Sequence, residues 1–69
     1  MKVEYISVNL LARRMTHAKS SGVETTKYEK ASFSPNVLAY IEDYITKNGF
    51  EIINVYGDNL MVYHLVKRE

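Results

Sequence analysis

The chain has 69 residues, no cysteine, nine Lys and Arg against eight Asp and Glu, and a net charge of +1. That length holds one small domain burying about 60% of the surface its unfolded form exposes, with stability on the order of 3–5 kcal/mol. Disulfides and thiolate zinc sites are excluded, two histidines (His17 and His64) are too few to hold a structural metal alone, and no apolar run approaches the ~18 residues of a membrane span.

Met1-Lys2-Val3-Glu4-Tyr5 has no apolar h-region, so no secretory leader is expected, and the sequence reads as soluble and cytoplasmic. Residues 2–11 alternate in the strand manner, with Ile6, Val8 and Leu10 on one face and Val3, Tyr5, Ser7 and Asn9 on the other. Residues 12–22 change character. Arg13, Arg14, His17 and Lys19 followed by Ser20-Ser21-Gly22 predict a long, exposed, basic loop, because Gly accepts positive φ and Ser bonds its own backbone. Val23 to Phe33 mixes Thr, Val and aromatics with charges, which suits an exposed edge strand pairing back on the first; a disordered connection is the competing expectation.

The firmest signal is an amphipathic helix. Ser34 is a natural N-cap and Pro35 a natural first helical residue, since its missing N–H has no partner there anyway. Val37, Leu38, Ile41, Tyr44, Ile45 and Asn48 recur at three- and four-residue spacing, and Asn36, Glu42, Asp43, Thr46 and Lys47 take the opposite face. Gly49 ends the helix where a left-handed conformation is needed. Residues 50–56 read as the third strand, Gly57-Asp58-Asn59 as a short turn, and Leu60–Lys67 as the fourth strand of a hairpin. The expected order is β-β-α-β-β, in one α+β domain over residues 1–69: a small antiparallel sheet with one helix packed on one face.

Three segments resemble a known family. Val3-Glu4-Tyr5-Ile6-Ser7-Val8, Asn48-Gly49-Phe50-Glu51-Ile52-Ile53-Asn54-Val55 and Leu65-Val66-Lys67-Arg68 are similar to the motifs of the small bacterial and phage domains catalogued as DUF4177. Phe50 stands where that family usually has Trp, and the first connection is longer. The resemblance implies the fold; the family carries no known activity.

Catalytic readings are weak. Glu42 and Asp43 are neighbours on a helix, diverging by about 100°, so they cannot share a substrate. His17 beside Thr16 and Ser20 lacks an orienting group and an oxyanion site, and His64 on a strand reads first as a half-buried structural residue. The three glycines are isolated, so no phosphate loop exists, and no cofactor motif is present. The expectation is a non-enzyme without cofactor or metal.

Charge is uneven: residues 1–34 hold six Lys and Arg against three Glu, and residues 35–69 hold three against five acidic residues. Arg13, Arg14, Lys19, Lys27 and Lys30, with Tyr5 and Tyr28 nearby, form the one basic set, and a nucleic-acid module is therefore the alternative reading. Against it, Glu24 and Glu29 interrupt the set. The six tyrosines say more. One helix covers one sheet face, yet the last strand is apolar on both, with Leu60, Val62 and Val66 on one side and Met61, Tyr63 and Leu65 on the other. The third strand repeats this, with Ile53 and Val55 against Phe50 and Ile52. Tyr suits an interface by joining large contact area to a polar tip. The surplus face is either roofed by residues 12–22 or offered to a partner.

The sequence thus predicts a non-catalytic module that docks on a larger protein, or on itself as a homodimer, through exposed sheet and the basic loop. The partner-binding candidates are Tyr5, Arg13, Arg14, His17, Lys19, Tyr28 and Tyr63. Proteins of this size and simplicity are often carried by phages or mobile elements and act by inhibiting a host defence machine, which is the expected biological setting.

Overall fold

The computed structural model describes residues 1–68. Five antiparallel strands and one helix run in the order β1 (Lys2–Asn9), β2 (Arg14–Lys19), β3 (Gly22–Lys27), α1 (Phe33–Asn48), β4 (Glu51–Gly57) and β5 (Leu60–Lys67), with a 3₁₀ turn at Lys30–Ser32 leading into α1. The sheet order is β3-β2-β1-β5-β4. The fold is α+β, with the helix packed across one face, as the periodicity predicts.

The strand count is the main difference. Residues 12–22 are not a loop. Arg14–Lys19 forms β2, with Asn9 opposite Arg14 and Tyr5 opposite Ala18 on β1. Met15 and His17 point inward and are buried, whereas Thr16 and Ala18 point to the other side. This period-two burial was hidden among the cations, which occupy the ends of the segment. A short turn over Leu10–Arg13 joins β1 to β2. There Asn9 Oδ1 accepts from the backbone N–H groups of Leu11 (3.1 Å) and Ala12 (2.9 Å), and Arg13 takes φ 53°. The segment does not roof the second sheet face; it widens it.

β3 is an exposed edge strand, shorter than residues 23–33 and paired with β2 rather than β1. β1 has no free edge for it, because β2 and β5 flank that strand on both sides. After Tyr28, whose N–H returns to the Arg13 carbonyl at 2.9 Å, the chain turns into the helix.

The helix starts one residue before Ser34. Ser32 is the N-cap, without a side-chain hydrogen bond, and Pro35 is the third helical residue. Pro35 still costs nothing, because the first four helical N–H groups lack intrahelical acceptors. Phe33 explains the shift: it is buried, and helical geometry from that residue puts Phe33, Val37 and Ile41 on one inward stripe. The other end is as expected. Gly49 adopts φ 72°, and the N–H groups of Gly49 and Phe50 both reach the Ile45 carbonyl.

The core lies between α1 and the sheet: Ile6 and Val8 from β1, Met15 from β2, Leu65 from β5, Phe50, and the Phe33–Val37–Ile41 stripe. Leu10 lies beyond the end of β1 and is exposed. In β4, the register shifts between Ile52 and Asn54, so Ile52 faces Leu65's side and Val55 faces Tyr63's. Both therefore lie on the helix side, which revises the alternation of residues 50–55 expected from the sequence.

Candidate interaction surface

Two groupings of polar and aromatic residues stand out, one inside the helix–sheet layer and one on the opposite sheet face. The inner one begins with strand alternation. Glu4 shares the inward parity of Ile6 and Val8, and His17 that of Met15, so both are carried under the helix; they are 5% and 1% exposed. Tyr40 and Tyr44, four residues apart, project from one flank of α1 toward them. His17 Nε2 lies 2.7 Å from Glu4 Oε1, and Nδ1 lies 2.8 Å from the Tyr40 hydroxyl. Tyr44 donates to the same Glu4 oxygen at 2.6 Å. The His17 ring meets Tyr44 edge-on, and Lys19 Nζ lies 5.4 Å above the Tyr44 ring.

The Tyr40–His17–Glu4 chain has the connectivity of a proton relay, but its electrostatics run against one. Burial raises the Glu4 carboxyl, and the hydrogen bonds from Tyr44 and His17, with the His17 charge, outweigh it, so the group sits below its ordinary value. Burial, then the charge of Glu24, pushes the Tyr40 phenol above its ordinary value; burial and the bond to Glu4 push Tyr44 well above. A nucleophilic phenol would need the opposite shift. The cluster holds protons in place. It satisfies buried polar groups and ties β1, β2 and α1 together.

The outer grouping is the sheet face away from α1. Residues opposite one another in a ladder share a face, so the register assembles it. Val3, Tyr5, Ser7 and Asn9 come from β1, and Arg14, Thr16 and Ala18 from β2. β3 adds Val23, Thr25 and Lys27; β5 adds Leu60, Val62, His64 and Val66; β4 adds Glu51, Asn54 and Tyr56. At its centre Tyr5 stacks on His64, with ring centroids 4.6 Å apart and planes 25° from parallel. Val3, Tyr5, Val23, Tyr56 and Leu60 are between 39% and 65% exposed. Toward one corner the face turns polar, where Ser7, Asn9, Arg14, Thr16 and Thr25 line a shallow hollow of about 200 Å³. Arg14 and Lys27 stand opposite each other at that corner. Glu51 stands at the diagonally opposite one, in the row of Val3 and Val66.

The residues singled out from sequence are not gathered in one place. Tyr5 is at the centre of the open face, with Arg14 and Lys27 at its corner. His17 is not in an exposed loop but buried against Glu4, because β2 forms. Lys19 lies on the helix side over Tyr44. Arg13 is in the β1–β2 turn, its Nε buried without a hydrogen-bond partner. Tyr28 is half-buried against the core, 6.1 Å from Phe33, and Lys30 is in the 3₁₀ turn. Tyr63 packs on the core on the helix side and lines a groove of about 130 Å³ with Leu38 and Met61. The basic set is thus divided among both faces and the connections. Sequence reasoning missed Glu4, Tyr56 and the stacking role of His64. The parity of Glu4 with Ile6 was a readable signal, whereas the placement of Tyr56 depends on the β4 irregularity.

These features define a small α+β domain with one helix-covered and one open sheet face. No family model, curated protein or solved structure matches the chain.

Proposed function

We propose that this protein is a non-catalytic docking module that binds another protein chain with the open face of its sheet. The observation that carries this reading is the uncovered face itself. Four of the five strands present Val3, Tyr5, Val23, Tyr56 and Leu60 to solvent on the side that α1 does not reach. Contiguous exposed apolar side chains of this kind mark interaction sites, and tyrosine is enriched at them. The dispersal of the cations favours a protein partner over nucleic acid, whose backbone needs a continuous basic track. Such a module acts by occupying a surface of its partner, as an inhibitor of a larger machine in the cytoplasm would.

The test is a comparison of Tyr5→Arg and Leu60→Arg, on the open face, with Leu38→Arg on the exposed flank of the helix. Partners recovered from native extract by the wild type should be lost from both open-face variants, with circular dichroism unchanged, and kept by the helix variant. Recovery that survives both open-face substitutions would overturn the assignment.

A further inference from the structure

We infer that the chain that fits the open face is a second copy of this one, packed face to face with its strands crossed nearly at right angles. The inference rests on the docking reading above and names its partner.

Charge carries it. Arg14 and Lys27 are directly opposed across the β2–β3 ladder, an unfavourable like-charge placement for a pair left to itself. Neither has an ion-pair partner among the described residues, and neither does Glu51, at the other end of the diagonal. Each corner thus displays the charge that the other lacks. A two-fold axis lying in the face, at right angles to that diagonal, exchanges the corners. It brings Arg14 and Lys27 of each copy over Glu51 of the other, in two equivalent sites.

The same axis fixes the crossing of the sheets. With strands ~4.8 Å apart and a rise of ~3.4 Å per residue, the diagonal makes roughly 40° with the strands, so the two sheets cross at roughly 80°. Sheets pack orthogonally at about this angle. Between the charged corners, the apolar middle (Tyr5 with His64, Val62 and Tyr56) meets its symmetry copy.

The area lies at the lower bound of what a dimer needs. The 35 residues of the five strands give a face of about 570 Å² per copy. Stable interfaces begin at ~600 Å² per partner, so the dimer is a small and reversible one.

Charge reversal with rescue tests the arrangement by analytical ultracentrifugation. The wild type should dimerise, more weakly as salt rises. Glu51→Lys alone, and Arg14→Glu with Lys27→Glu, should each weaken dimerisation about tenfold or more. The triple variant, with all three charges exchanged, should recover it, a result that misfolding cannot produce. A wild type that stays monomeric at about 1 mM overturns the inference. So does a dimer indifferent to the single and double reversals, or a triple variant no better than its parents. If the wild type is monomeric yet still captures a different protein in a Tyr5-dependent way, only the identity of the partner fails. If Tyr5-dependent capture is also absent, the docking reading fails with it.

Discussion

Glu4 shows how much one strand position can decide. Its carboxylate lies under the helix and takes hydrogen bonds from His17 and Tyr44 on a single oxygen, 2.7 and 2.6 Å away. The sign of the resulting pH dependence follows from the shifts. Glu4 is lowered from 4.5 in the folded chain, so its contribution is fully present above that value and is lost as pH falls through the lower folded value. Tyr44 is raised from 10, so its contribution is complete below pH 10 and is lost as pH climbs through the higher folded value. Thermal melts should therefore show a stability plateau that falls off on both sides. Glu4→Gln should flatten the acid limb below pH 4.5, and Tyr44→Phe the alkaline limb above pH 10. Limbs identical to those of the wild type would mean that the cluster does not couple protons to folding. The inward direction of Glu4 was legible, since it alternates in step with Ile6 and Val8. Its partners were not, because His17 and Tyr44 lie 13 and 40 residues away in the chain.

At the scale of elements, the ends are set by single backbone positions. Gly49 and Gly57 both carry positive φ, 72° and 112°, but for different reasons. Gly49 is a helix stop whose added Cβ would meet nothing closer than the Lys67 side chain at 3.9 Å. At Gly57 a Cβ would overlap the Leu60 carbonyl, backbone that cannot move without opening the β4–β5 hairpin. Gly49→Ala should thus cost about 1–2 kcal/mol, the left-handed penalty alone. Gly57→Ala should cost clearly more, with loss of amide-exchange protection across β4. Equal melting temperatures for the two variants would contradict the hairpin geometry. The helix stop was readable because glycine, an aromatic and a strand follow in series. The helix start was displaced because burial of Phe33 outweighed the capping preference of Ser34, whose gain is about 1 kcal/mol. β2 was missed for a related reason: Arg14 and Lys19 stand at its ends with Arg13 just before it, while its burial rests on Met15 and His17 alone.

For the whole molecule, the α+β class and a single covered face followed from one amphipathic helix and strands apolar on both sides. The width of the sheet did not, since it depended on recognising β2. That strand places Arg14 and, through β3, Lys27 on the open face. A molecule with so small a core should draw part of its stability from whatever covers that face. If a second copy does so, the melting temperature should rise with protein concentration by mass action. In the Arg14→Glu, Lys27→Glu variant the rise should move to protein concentrations about tenfold higher or more. A melting temperature independent of concentration in the wild type would separate folding from association.

The irregularity in β4 has a consequence for how such a chain survives at high concentration. The strand is the outer edge of the sheet, exposed along its length, and carries Ile52, Ile53, Val55 and Tyr56 with one charge, Glu51. A flat edge of that composition would template the addition of further strands without limit. The extra residue between Ile52 and Asn54 interrupts the ladder partway along. An incoming strand that matches one half of β4 is out of step with the other. A single inserted residue therefore works against open-ended strand addition at this edge.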